Sequence, residues 1–347
     1  METTRTAASA PNKIIIAGEH SVVYGGKSLC APVQINGKRN RAIATIAAGS
    51  GKVTILTGRQ RTYFHNGKPA GERDFYPVLA AVDSALKKHC QKEILTADIS
   101  VALKFSGSPK GTGNSASISA CAISAACAAL GKTLSQGELY DAVMVAENQY
   151  HGGKASGLDP MTVCSDKPIL FRKVFSKKGI SLDYSQKKLE LPAGCRLFLV
   201  DSDWKGRRAT TAELIGAFAK ANKIECAPDA VTSERRKSLI APFDMLVDCM
   251  EEQLHKNGDA QKLGELFDEN HALLSCFGVS AHSIERVRKI AMKAGALGSK
   301  LTGAGGTNGG VLVLANDSDA ESIKAQLTAA DFTCFEIEFS QKGAGLD

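Results

Sequence analysis

The 347-residue chain contains no C-x-x-C pair and no Cys/His cluster at zinc spacing, which argues against a structural zinc module. Its ten cysteines (30, 90, 121, 127, 164, 195, 226, 249, 276 and 334) are scattered, a usage that suits a reducing compartment. Several, such as Cys121 and Cys127 in SACAISAACAAL, lie among small residues, where a thiol acts as a small buried hydrophobe and no nucleophile is expected. The longest weakly polar run, residues 118–130, is too short to span a bilayer and carries two serines. The leader METTRTAASA lacks an apolar h-region and the terminal GAGLD matches no targeting or lipidation signal. A soluble, cytoplasmic protein with no membrane partner is expected. Internal repeats and low-complexity tracts are missing, as are the G-x-x-x-x-G-K-[ST] phosphate loop and the strand–G-x-G-x-x-G dinucleotide fingerprint. Lys plus Arg (43) exceed Asp plus Glu (36) by a formal charge of only +7. That surplus suits an anionic small molecule or a solvated surface and gives no indication of nucleic-acid binding.

What is present is ordinary globular composition, 44% apolar and 23% charged, enough for two domains. After a polar leader, residues 13–17 (KIIIA) read as a buried strand and 43–56 as strand-like runs punctuated by AAGSG. Residues 74–89 show helical spacing and 95–105 alternate like a strand before GSPKGTGNS. Seven of the fourteen residues 116–129 are Ala, a composition that favours a helix, with Gly131 as its stop. Ser135 and Glu138 have the spacing of a capping box, predicting a helix over 136–150. Further on, 195–200, 311–315 and 333–339 read as strands, and 238–256, 260–275, 281–294 and 318–330 as helices. The class is α+β. The boundary is placed near 193–201, giving domains 1–195 and 196–347.

Two glycine-rich segments carry chemistry. Gly107-Ser-Pro-Lys-Gly-Thr-Gly-Asn-Ser-Ala-Ser117 feeds directly into a helix, where inward backbone amides and the helix dipole favour an anion and Lys110 adds a cation. In Lys300-Leu-Thr-Gly-Ala-Gly-Gly-Thr-Asn-Gly-Gly310 five glycines fall within eight positions, more than a turn requires, so either something approaches that backbone closely or the segment is a flexible surface loop. Glu147 sits in the last turn of its predicted helix, an unfavourable place for a carboxylate. A magnesium ion held by Glu147, the Ser117 hydroxyl and nucleotide phosphates would compensate, as would a surface lysine. Asp159, in HGGKASGLDP, either initiates a turn before Pro160 or orients and deprotonates a hydroxyl nucleophile with Lys13 as its partner. Glu19 and His20 read equally as surface loop or as site residues.

Three ordered pieces, SAPNKIIIAGEHSVVYGG, PKGTGNSAS and KLTGAGG, together with ENQYHGGKASGLD, DSDWKGRRATTAEL and LFDENHALLSCFGVS, resemble the GHMP small-molecule kinases over most of the chain. The resemblance implies an N-terminal domain like the second domain of a ribosomal small-subunit protein, a ferredoxin-like C-terminal domain, and ATP in a non-Walker loop between them. It implies Asp159 and Lys13 as catalytic residues, and ATP contacts from Lys110, Gly111, Thr112, Gly113, Asn114, Ser115, Ala116 and Ser117. Substrate contacts fall on Glu19, His20, Thr211, Gly303, Ala304, Gly305 and Gly306, and magnesium (Mg2+) on Ser117 and Glu147. A one-residue shift of the second motif would move the metal role to Ser115. The Glu-His-x-Val-Val-x-Gly form of the first motif favours the branch that phosphorylates the 5-hydroxyl of mevalonate. A sister kinase for another hydroxyl, for phosphomevalonate or for a sugar, and a ligand-binding protein without turnover, are the alternatives. A homodimer is compatible with the sequence.

Overall fold

The computed structural model describes residues 5–153, 155–202, 211–224 and 226–347, without the side chains of 211, 212, 229 and 308. In chain order the strands are β1 (Arg5–Ala10), β2 (Asn12–Ala17), β3 (Lys27–Ile35), β4 (Asn40–Ala48), β5 (Val53–Thr57), β6 (Gln60–His65), β7 (Lys68–Gly71), β8 (Ala97–Lys104), β9 (Ile169–Ser176), β10 (Gly179–Gln186), β11 (Cys195–Asp201), β12 (Gly298–Thr302), β13 (Gly310–Asn316), β14 (Thr333–Phe339) and β15 (Gly345–Leu346). The helices are α1 (Tyr76–His89), α2 (Asn114–Ala129), α3 (Gln136–Tyr150), α4 (Leu158–Cys164), α5 (Thr211–Ala221), α6 (Ser233–Gln253), α7 (Ala260–Cys276), α8 (His282–Lys293) and α9 (Asp317–Ala329). None of the helices is long and apolar enough to cross a membrane, among the described residues.

The first sheet runs β15-β1-β4-β8-β5-β6-β7, antiparallel except where β5 lies beside β8. β8 alternates, burying Ile99, Val101 and Leu103, and α1, α2 and α3 cover that face. Ala8, Ala10, Ala42 and Ala44 of β1 and β4 meet the alanines of α2, so small residues on both sides let helix and sheet approach closely. The polar leader is thus not irregular: β1 is a paired strand. Its inward residues are alanines, and alanine carries no strand signal. The capping box on α3 forms as spaced, with Ser135 Oγ accepting from Glu138 N–H and the Glu138 carboxylate accepting from Ser135 N–H at 2.8 Å.

The second sheet runs β10-β9-β3-β14-β11-β13-β12, with β2 also paired to β3, and every pair is antiparallel. β11 and β13 are buried on both faces. Phe198, Val200, Val311 and Val313 pack with residues of α5, α8 and α9, while Leu197, Leu199, Leu312 and Leu314 pack with α6 and α7. Two-sided burial explains their continuous apolar sequences. This sheet passes through the boundary near residue 195, because β3 of the first half pairs with β14 of the second at Val33↔Phe339 and Ile35↔Ile337. β2 touches both glycine segments: Lys13 N–H donates to Thr112 O at its N-terminal end, and Ile15 bonds Thr302 at its middle.

Candidate active site

Lys13 enters β2 between two anchors. Its N–H donates to the Thr112 carbonyl at 2.9 Å, and neighbouring Asn12 Nδ2 donates to Asn114 Oδ1 at 2.8 Å and Thr112 O at 3.2 Å. Ser106 Oγ donates to Asn12 Oδ1 at 3.0 Å and Ser108 Oγ to Asn114 Oδ1 at 2.6 Å. This network of short polar side chains fixes the first glycine segment against β2. Gly113 precedes α2 with φ 67°, and a Cβ there would lie 2.7 Å from Lys13 Cγ. Only glycine tolerates both the backbone and the lysine stem beneath it.

That stem ends in an ion pair: Lys13 Nζ lies 3.1 Å from Asp159 Oδ1. Lys13 is buried, whereas the Asp159 side chain keeps 28% of its surface. Asp159 is in the first turn of α4, where the helix dipole favours a carboxylate. A fixed lysine, a half-open carboxylate and the free amides at the start of α2 therefore face one place. Such a set can orient an alcohol and receive an anion. Lys110 and Gly111 are exposed beside it.

The other glycine segment is held differently. Thr302 Oγ1 donates to Ile15 O at 2.8 Å and accepts from Ile15 N–H at 3.2 Å, tying β12 to β2. Gly303 lies opposite the Gly111 carbonyl, at 3.6 Å from a Cβ built on it. The remaining glycines are filled by the protein itself: a Cβ on Gly305 would meet Val279 O at 2.3 Å, and one on Gly306 Leu214 Cδ2 at 2.7 Å. The close approach expected from the sequence is real, and protein atoms account for most of it.

Glu19 is fully buried and paired with fully buried Lys300, which also donates to Leu301 O at 2.8 Å. Burial raises the Glu19 carboxyl and lowers the Lys300 ammonium from their ordinary values, each opposed by the other's charge. His20 Nε2 lies 3.0 Å from the Ala304 carbonyl, and its ring stacks on Phe218 at 5.2 Å. Burial pushes its imidazole down to about 4, so near neutral pH it is uncharged and Nε2 carries the proton given to Ala304. The expected substrate donor is thus already committed within the protein; Nδ1 remains as an acceptor. Thr211 opens α5, and its side chain lies outside the described residues, as does the backbone of 203–210.

The metal reading divides. Glu147 is buried, its Oε1 has no hydrogen-bond partner among the described residues, and Oε2 lies 3.5 Å from His151 Nε2. A buried carboxylate oxygen without a partner fits a hard cation. Ser117 does not fit: it is fully buried, accepts from Asn40 Nδ2 at 2.9 Å and donates to Ala10 O at 3.2 Å. Turning it towards a cation would strip both of a partner. Ser115 is half-buried in the first turn of α2, which favours the shifted register. Ala116 packs in the core, so it can offer only its backbone. No group of three or more His, Cys, Asp or Glu is placed to hold a metal, among the described residues.

Asn12, Asn40, Ser106, Ser108, Phe218, Lys300 and Thr302 were not singled out from sequence. Asn12, Ser108, Lys300 and Thr302 lie inside the quoted segments, and that position was the available signal.

The family described as GHMP kinases N terminal domain matches residues 78–166, and that described as GHMP kinases C terminal matches 248–332. Together they match half of the chain. The mevalonate kinase of Pyrococcus horikoshii is 29% identical over 313 residues, covering 86% of this chain and 85% of that protein. Among solved structures, L. major mevalonate kinase in complex with R-mevalonate superposes with a TM-score of 0.74 at 22% identity, covering 97% of each chain. Lactococcus lactis galactokinase complexed with galactose gives 0.75 at 17% identity, covering 98% of this chain and 94% of that one. The fold is therefore shared across different substrates.

Proposed function

Because the chain belongs to the GHMP kinases, we propose that it transfers the terminal phosphoryl group of ATP to the 5-hydroxyl of mevalonate, giving 5-phosphomevalonate. The observation that carries the chemistry is the Lys13–Asp159 pair beside the start of α2. The choice of mevalonate draws on the relatives, since a shared fold does not fix a substrate. Residues 1–195 supply this pair and the first glycine segment, and 196–347 supply the second.

Asp159 accepts a hydrogen bond from the primary alcohol and takes its proton as the oxygen attacks phosphorus. Lys13 holds that carboxylate in place and offsets charge as it develops. The backbone from Gly111 to Ser115 and the first-turn amides of α2 receive the phosphates, with Lys110 at the edge. Glu147 and Ser115 would hold magnesium, which when bound supplies positive charge to the phosphate oxygens. Glu19 and the segment from Gly303 to Gly306 border the acceptor alcohol, and His20 keeps that border in place through Ala304.

Purified protein with ATP and magnesium, offered mevalonate, phosphomevalonate, homoserine and galactose in turn, should release ADP with mevalonate. Phosphorus NMR of the product should show coupling to methylene protons. Release with another alcohol alone, or a phosphate on the tertiary carbon, would refute the assignment.

A further inference from the structure

The catalytic reading employs Lys13 and Asp159 and places Glu19 beside the acceptor alcohol, but leaves Lys300, the buried ion-pair partner of Glu19, without a purpose. Neither side chain of that pair reaches solvent. Removing two charges from water costs more than their attraction returns unless the geometry is excellent, and apolar replacements are frequently as stable. Stability alone is thus a weak reason for the pair. Glu19 is also only half satisfied: Oε1 takes Lys300, while Oε2 is buried with no hydrogen-bond partner among the described residues.

The backbone around Glu19 adds a second observation. Ser21 N–H donates to Glu19 O at 2.6 Å across His20, whose φ and ψ are 59° and −47°. This is a γ-turn of the rare, strained hand. Such strain persists where the surroundings over-determine it. Three contacts do so here, all from the second half of the chain: Lys300 on Glu19, the Ala304 carbonyl on His20 Nε2, and the Phe218 ring on the imidazole. The two ion pairs are also linked through the backbone: Lys13 lies on β2 and Lys300 on β12, and Thr302 Oγ1 bonds both Ile15 N–H and Ile15 O.

We propose that Lys300 is a positioning residue for the phosphoryl acceptor: by holding Glu19 Oε1 it presents Glu19 Oε2 to a hydroxyl of the bound substrate and keeps the strained His20 turn in register with the third motif. This rests on the site being a mevalonate phosphotransferase.

The test compares wild type, Lys300→Met and the double variant Glu19→Gln/Lys300→Met, which leaves no buried charge and keeps the pair falsifiable if the single variant does not fold. Both variants should raise the KM for mevalonate about tenfold or more while the KM for ATP moves less than about threefold. In Lys300→Met the mevalonate KM should improve as pH rises, because a carboxyl without its cation ionises only at higher pH. The double variant should lack that dependence. A wild-type mevalonate KM in the folded double variant, equal rises in both KM values, or a flat pH profile in folded Lys300→Met overturns the proposal. A wild-type chain inert toward mevalonate overturns the functional reading instead, and the same split is then read on the alcohol it does phosphorylate.

Discussion

The two glycine segments look alike in sequence and are used in opposite ways. In the first, a side chain added at Gly107 or Gly111 would meet nothing within 4 Å, so the backbone stays open to a ligand. In the second, Val279, Leu214, Ile284 and Leu199 already crowd positions 305, 306, 309 and 310. Glycine count reports close approach and does not say by what. The first segment leaves much of its backbone open, and the second is packed by the protein itself.

Four experiments bear on that contrast, beginning with the largest effect. If the open segment is where chemistry happens, Asp159→Asn should lower kcat by about 10²–10⁴ with little change in Tm; near-normal turnover would dissolve the distinction. Gly305→Ala should cost about 3 kcal/mol or more of stability, since the new Cβ meets a backbone carbonyl and φ is 74°. Gly111→Ala should cost only about 1 kcal/mol, from its positive φ, and should act on the KM for ATP. Comparable losses of Tm in the two alanine variants would break the comparison.

His20, on the packed side, gives a pH signature. Its imidazole binds a proton near 6.5 when unfolded and only near 4 in the native state. Between those values the unfolded chain holds more protons, so native stability is full above about 6.5 and falls by about 3 kcal/mol as pH drops to about 4. His20→Leu should flatten that part of the acid limb in a Tm-against-pH series; an identical limb would place the ring in water. The smallest effect concerns the metal. Ser115→Ala should raise the magnesium needed for half-maximal activity about three- to tenfold, and Ser117→Ala should instead lower Tm by removing the Asn40 and Ala10 contacts. The reverse pattern would restore the unshifted register.

Elements with local signals were legible in sequence. The capping box placed α3 at residues 136–150 and the apolar run placed β14 at residues 333–339, both where the structure has them. β1 has no signal of its own in the sequence, because its partners, β4, β15 and α2, are remote and its small inward residues give no strand pattern. The site divides in the same way. Lys13 and Asp159 stood out as charged residues beside buried or turn-rich segments, and they do meet. Asn40, which decides what Ser117 can do, has no local mark; its partner lies on another element, and only the packed fold joins them. Lys300 carries no local mark either, because a lysine with its carboxylate far away in sequence gives no hint of burial.

The pairing of Ala8 with Leu346 and of Val33 with Phe339 has a consequence for biosynthesis. Both sheets join strands that are far apart in sequence, so one edge of β1 and one edge of β3 must stay open until β15 and β14 have been made. Contacts so distant in sequence slow folding, and unpaired edges recruit other chains. Nascent protein therefore passes through a long aggregation-prone interval that ends when β14 and β15 arrive, and the yield of active molecules should respond to translation rate and chaperone supply more than to the stability of the finished fold.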